Sequence, residues 1–306
     1  MTRLHLAKLH ATGNDFLVLA DLEARFGPAG VPALPPEVRA ALCDRRRGVG
    51  ADGFIRILPG TDGADCVMEL TNADGGLAET SGNGLRCLAH AAARLGLAQG
   101  DRLVVDTAAG RREIVLARRP GNGEVTGAEV DMGPVSFTPA DIPLDAPDPF
   151  DLEAMADGTR YRGDAAGTGN PHFVFLVDDP DAVPLERHGP ILEHDVRFPR
   201  RTNVEMITPV PGGLRMRVWE RGVGETASCG SGACAAAAVA YRRGLFPARG
   251  HVTVPGGELV VEVGATVRLG GPVAHVFDVE VDLDRVAESA RGSPGARGVP
   301  DMRVVR

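Results

Sequence analysis

Lysine is almost absent from this sequence: of its 33 Lys and Arg residues, all but Lys8 are arginine. A pyridoxal-phosphate enzyme holds its cofactor through a lysine Schiff base. Only Lys8, close to the N-terminus, could supply one, so any carbanion chemistry on an amino acid is expected to run without that electron sink. Cysteine is sparse as well. Cys43, Cys66, Cys87, Cys229 and Cys234 form an odd set with no CxxC pair, and no HExxH occurs. That pattern argues against a disulfide framework and against structural zinc. No run approaches the ~20 apolar residues of a membrane helix. The first residues also lack the apolar core and cleavage site of a signal peptide. A cytoplasmic protein without a membrane partner is therefore expected. The formal net charge of −8 argues against a nucleic-acid partner.

The composition is that of a packed globular chain, with 43% hydrophobic residues over 306 positions, long enough for two domains. An internal repeat gives those domains a form. ETSGNGLRCLAHAAARLGL (79–97) and ASCGSGACAAAAVAYRRGL (227–245) align at an offset of 148. Ser81 falls opposite Cys229, Gly82 opposite Gly230, Gly84 opposite Gly232, Arg94 opposite Arg242 and Gly96 opposite Gly244. Each segment reads as one helix: a glycine-rich entry, an alanine-rich run, an arginine in the last turn and a glycine after the end. Both are apolar enough to be wrapped by strands. VVDTAAGRREIVLA (104–117) and VTVPGGELVVEV (252–263) follow as strand, glycine turn, strand. The expected fold is α/β (α+β), two pseudo-symmetric halves, each a curved, mostly antiparallel sheet around a central helix. The halves are expected at 1–119 with 272–285 and at 124–270, with a loop at 118–127, a Pro-rich acidic surface excursion at 139–158 and a flexible tail at 286–306.

Ser81 and Cys229 each stand immediately before a helix start. A helix N-terminus offers free N–H groups and partial positive charge, which bind a carboxylate and favour a thiolate over a thiol. Removing the α-hydrogen of an amino acid needs a positioned base, and inversion needs an acid on the opposite face. Preorganised N–H donors stabilise the charge that builds on the carboxylate. Two helix tips that share one carboxylate would meet both needs.

At this point the chain resembles the diaminopimelate epimerase family. The matching stretches are KLHATGNDF (8–16), RRRGVGADG (45–53), NADGGLAETSGNGLRC (72–87), VDMGPV (130–135), GTGNPHFVF (167–175), RFPRRTNVEMI (197–207), ERGVGETASCGSGAC (220–234) and GPVAHVFD (271–278), in the same order and spacing. The resemblance implies catalysis at the positions of Cys229 and Ser81. It implies substrate contacts from Asn14, Asn72, Asn170, Asn203, Glu220 and Arg221, and main-chain N–H donors at Gly82, Asn83, Gly230 and Ser231. It further implies a site in the cleft of two pseudo-symmetric halves, no metal, no cofactor, a small amino-acid substrate and a homodimer. The activity it implies is interconversion of LL- and meso-diaminopimelate for lysine and cell-wall synthesis.

One departure matters. The family carries CGNG where this chain has SGNG, so Ser81 replaces one of two thiols. An engineered replacement, a slower serine-mediated proton transfer, and single-base chemistry by Cys229 on another amino acid all remain open, as does a non-catalytic amino-acid binder. GVGADG (48–53) matches the dinucleotide fingerprint by letter, but a strand follows it where the fingerprint needs a helix. His172 reads as a structural histidine that orients a loop, and His275 as structural too.

Overall fold

The computed structural model describes residues 3–27, 34–78, 81–290 and 302–305. In the first strand, β1 (Arg3–Ala11), buried Leu4 and Leu6 alternate with exposed Arg3 and His5, the period-two pattern of a half-buried strand. It pairs antiparallel with β2 (Asn14–Ala20). Helix α1 (Pro36–Cys43) crosses over to β3 (Gly53–Pro59), which runs parallel to β2 and turns back antiparallel into β4 (Cys66–Asn72). A second crossover, α2 (Gly82–Arg94), leads to β5 (Arg102–Thr107), parallel to β4, and then into the hairpin strand β6 (Gly110–Arg118). After β7 (Val125–Asp131) the order repeats.

β8 (Leu152–Ala156) and β9 (Thr159–Gly167) form a hairpin, and β9 pairs antiparallel with β10 (Pro171–Leu176). Helix α3 (Leu185–Glu193) crosses to β11 (Asn203–Val210), parallel to β10, and β12 (Gly213–Glu220) returns antiparallel. After the short β13 (Gly224–Thr226), α4 (Gly230–Arg242) crosses to β14 (Arg249–Val254), parallel to β12, with β15 (Gly257–Val263) and β16 (Val267–Pro272) following antiparallel. β17 (Ala274–Asp282) then pairs antiparallel with β1. The sheets are mostly antiparallel, with parallel pairs at the four crossovers, as the α/β reading expects. α2 packs on β1, β2, β3, β4, β6 and β17; α4 packs on β9, β10, β11, β12 and β15.

The chain divides into two units, Met1–Ala128 with Pro272–Arg306, and Glu129–Gly271. The Pro-Gly-Asn loop stays with the first unit past the expected 119, because Arg119 N–H bonds Glu124 O at 2.8 Å and Val273 N–H bonds Thr126 O at 3.1 Å. The repeat extends to the helix ends. Gly96 (φ +74°) and Gly244 (φ +71°) take the left-handed position after α2 and α4. Leu97 N–H then reaches Ala92 O and Leu245 N–H reaches Ala240 O, the same six-to-one cap in both units.

Two expectations are corrected. The stretch 139–158 is not purely a surface excursion: Ile142 and Leu144 are buried in the second unit's aromatic core with Phe173, Phe175 and Phe198, and the stretch ends in β8. The tail is ordered in part. α5 (Leu283–Ala290) packs on α1, with Val286 buried beside Val38 and Leu42, and β18 (Met302–Val305) pairs with β17; residues 291–301 lie outside the described residues. Among the described residues no helix is long and apolar enough to cross a membrane.

Each core contains buried polar groups that pair with one another. Arg56 donates to Asp21 at 2.6 Å and to Glu69 at 2.9 Å. Burial alone would raise the Asp21 carboxyl, but the Arg56 hydrogen bonds and the Arg25 and Phe26 N–H groups outweigh it and hold the carboxyl below its usual range. In the second unit, the Tyr161 hydroxyl meets His188 Nδ1 at 2.6 Å, both side chains being buried. Tyr161→Phe is expected to lower stability by about 1–3 kcal/mol, because it leaves a buried ring nitrogen unpaired at almost unchanged volume. Urea unfolding with an unchanged m-value would check this.

Candidate active site

In the first unit the reactive position is the cap of α2. Ser81 has extended backbone (φ −151°), and its Oγ accepts the Gly84 N–H at 3.0 Å. Ser81 O takes the first helical bond, from Leu85 N–H, so the N–H groups of Gly82 and Asn83 precede the helical ladder. A Cβ on Gly84 would stand 3.2 Å from Ser81 Cβ and 3.3 Å from Oγ, which explains the second glycine of SGNG.

The first turn is fastened by a polar network. Asn83, 1% exposed, donates to Asn14 Oδ1 at 3.2 Å and accepts from Arg86 at 2.7 Å. Asn14 in turn donates to Asp52 at 2.9 Å. Asp52 and Asp15 exchange backbone N–H bonds, and Arg45 clamps both carboxylates at 2.6 Å. Lys8 is tied to Asp15 at 2.5 Å and to Gly50 O. Burial opposes ionisation of Asp15, but Arg45 and Lys8 hold its carboxyl far below the usual range. The structure thus brings Asn14, Gly82 and Asn83 together at the Ser81 tip. Asn72 is exposed at the end of β4, paired in register with Gly53, the neighbour of Asp52.

GVGADG is the loop that closes this network, and β3 follows it. A Cβ on Gly48 would fall 2.0 Å from Ala41 O, so that glycine serves close packing under α1.

In the second unit Cys229 caps α4 from an extended conformation (φ −119°) and is 5% exposed. Its carbonyl accepts the Ala233 N–H, leaving the Gly230 and Ser231 N–H groups ahead of the ladder. The sulfur lies 3.4 Å from Ser231 Oγ. The Glu220 carboxylate accepts from Thr226 Oγ1 at 2.5 Å and lies close enough to Cys229 for the two groups to affect each other's ionisation. Asn170 and Asn203 belong to the same end of the sheet. Asn170 Oδ1 is 3.0 Å from His172 Nε2, and Asn203 accepts the Arg221 N–H at 2.9 Å and donates to Pro171 O. Glu220 and Arg221 therefore diverge: the carboxylate takes Thr226 Oγ1, and the guanidinium reaches Arg200 O.

The helix tip does not make Cys229 a resting thiolate. Burial, Glu220 and Glu205 push the thiol well up, against the pull of Ser231 and the Gly232 N–H. The expectation of a lowered thiol is corrected on that ground. Burial pushes the Glu220 carboxyl up too, with Glu205 adding to it.

Sequence reasoning missed Glu205. It is 0% exposed, and its Oε1 meets His172 Nδ1 at 2.7 Å. Its only signal was its place inside a matching stretch. Asp52, Arg45 and Arg86, which hold Asn14 and Asn83, were missed for the same reason. His172 has the positioning role expected, between Glu205 and Asn170. His275 pairs with Asp278 at 3.0 Å, as a structural residue would.

Several relatives carry the same pattern. The profile of the family described as Diaminopimelate epimerase matches residues 6–138 and 165–273. The diaminopimelate epimerase of Pelotomaculum thermopropionicum is 39% identical over 282 residues, covering 90% of this chain and 98% of that one. That of Desulforudis audaxviator is 40% identical over 283 residues, covering 90% and 98%. Among solved structures, a hydroxyproline epimerase from Agrobacterium vitis shares the fold at TM-score 0.67 and 18% identity, over 91% of this chain and 92% of that one. A phenazine biosynthesis protein of the PhzF family from Bacillus anthracis does so at 0.65 and 18%, over 92% and 100%. This chain is an isomerase and belongs to the diaminopimelate epimerase family.

Proposed function

We propose that the protein interconverts the LL and meso forms of diaminopimelate by removing and returning the α-proton, with Cys229 as the group that takes the proton from carbon. The observation that carries this reading is the placement of Cys229, buried at the N-terminal tip of α4 with Glu220 near enough to act on its ionisation. A neutral thiol cannot abstract an α-proton; passing its proton to Glu220 creates the thiolate at the moment of use. The N–H groups of Gly230 and Ser231 then suit the substrate carboxylate, on which charge builds as the proton leaves. Inversion needs a second proton donor, and the repeat gives that place to Ser81, with Gly82 and Asn83 as its N–H donors. Asn14, Asn72, Asn170, Asn203 and Arg221 supply the amide and cationic groups that a substrate with a second amino-acid end requires. The single lysine is committed to Asp15 and Gly50, which fits chemistry without a Schiff base.

Ser81 favours a second reading, in which Cys229 works alone and the α-proton exchanges without inversion. Incubation with LL-diaminopimelate in heavy water separates the two. Deuterium entry with formation of the meso isomer supports the first reading, and entry with retained configuration supports the second. Binding without any exchange would overturn both.

A further inference from the structure

Glu205 is placed where the fold does not require a charge. In the second unit β10 and β11 run parallel with His172 beside Asn203 and Val174 beside Glu205. In the first unit β2 and β3 run parallel with Phe16 beside Gly53 and Val18 beside Ile55. The matching positions therefore hold Phe16 and Ile55 in one unit and His172 and Glu205 in the other. The contacts agree: a Cβ on Gly84 would meet Ile55 Cδ1 at 3.5 Å, while a Cβ on Gly232 would meet Glu205 Oε1 at 2.6 Å. An aliphatic side chain fills this place under the Ser81 helix, and a carboxylate fills it under the Cys229 helix.

A buried carboxylate costs several kcal/mol unless it is compensated. Glu205 is compensated on one side only. His172 holds Oε1, while Oε2 is buried and, among the described residues, has no hydrogen-bond partner. A group retained at that cost, where its counterpart is Ile55, has a task other than packing. We propose, resting on the role given to Cys229 above, that Glu205 is a positioning residue whose carboxylate, fastened by His172 against the first turn of α4, sets how tightly the Cys229 thiol holds its proton.

Among the described residues, the charged groups acting on Cys229 are Glu220 from β12 and Glu205 from β11, with the Ser231 hydroxyl on its own helix; His172 from β10 faces Glu205 and Glu220. Glu205 opposes ionisation of both Cys229 and Glu220, so it strengthens Glu220 as the acceptor and keeps the resting sulfur protonated. Removing that charge should release the thiol proton at lower pH.

The test is the pH profile of iodoacetamide alkylation at Cys229 in the full-length protein, mapped by mass spectrometry, for the parent, Glu205→Gln and Glu205→Met. Gln keeps a group that can bond His172, and Met imitates the apolar filling beneath α2. Both variants are expected to alkylate about 3- to 10-fold faster than the parent near pH 8, a shift of up to about one pH unit. The pH optimum of α-proton exchange should move the same way. Profiles that superimpose in folded protein, or a fold lost in both variants, would overturn the proposal. Alkylation does not depend on diaminopimelate, so a shifted profile in a protein that fails the exchange assay would sink the proposed function and leave this inference standing.

Discussion

Replacing Cys229 with alanine is expected to slow deuterium entry at the α-carbon of diaminopimelate about 10²- to 10⁴-fold, the range over which a positioned acid or base acts. The change should be confined to chemistry. Cys229 caps α4 without a side-chain hydrogen bond, so the helix loses little with the sulfur. Far-UV circular dichroism should match the parent, and diaminopimelate should still bind. Glu220 keeps its bond to Thr226 when the thiol is removed, and that bond holds its carboxylate in place rather than freeing it to replace the sulfur. Ser81 cannot replace it either, since a hydroxyl is far harder to ionise than a thiol. Exchange measured by mass spectrometry under pseudo-first-order conditions decides the matter: an unchanged rate in folded Cys229→Ala protein would take the sulfur out of the reaction.

The helices, hairpins and pseudo-symmetry were legible because each has a local signature. The matched Gly82 and Gly230, Arg94 and Arg242, Gly96 and Gly244 mark where each helix begins and ends, and structure adds only that the C-terminal caps match bond for bond. The fastening of the site was not legible. Asp52 meets Asn14 from 38 positions away and Asn83 meets Asn14 from 69, and Asp52 sits in a loop whose letters suggest a dinucleotide turn. Glu205 lies in the middle of a strand, where alternation says only that a side chain points inward. That its inward neighbour is the first turn of α4 depends on strand register, which no local pattern encodes. The same blindness explains the Cys229 thiol. A helix tip can be read from sequence and favours the anion; two carboxylates from other strands, which oppose it, cannot. In the tail, Gly- and Pro-rich flanks hid the short pairing of Met302–Val305 with β17.

Ser81→Cys is expected to raise the conversion of LL- to meso-diaminopimelate about 10²- to 10⁴-fold, again the scale of one acid–base group. The backbone at 81 is already prepared for it. Cys229 holds the matching place with a similar extended conformation (φ −119° against −151°), and Gly84, like Gly232, leaves room for the side-chain atom beside it. The gain should come with a small loss of stability. Ser81 Oγ caps α2 by accepting the Gly84 N–H at 3.0 Å, and sulfur is a weak acceptor. Losing a serine cap costs about 0.5–2 kcal/mol, which at about 2–4 °C per kcal/mol lowers the melting temperature by about 1–8 °C. Activity and stability should therefore move in opposite directions at one atom. The ratio of exchange to inversion carries the argument. In the parent, deuterium entry should outrun formation of the meso isomer, because Cys229 can remove and return a proton on its own side while the hydroxyl at 81 lags. In Ser81→Cys the two rates should converge, since either thiol can then deliver the proton. If inversion is as slow with cysteine as with serine while exchange continues, position 81 does not handle the proton, and the assignment of a proton-transfer role to the α2 cap fails.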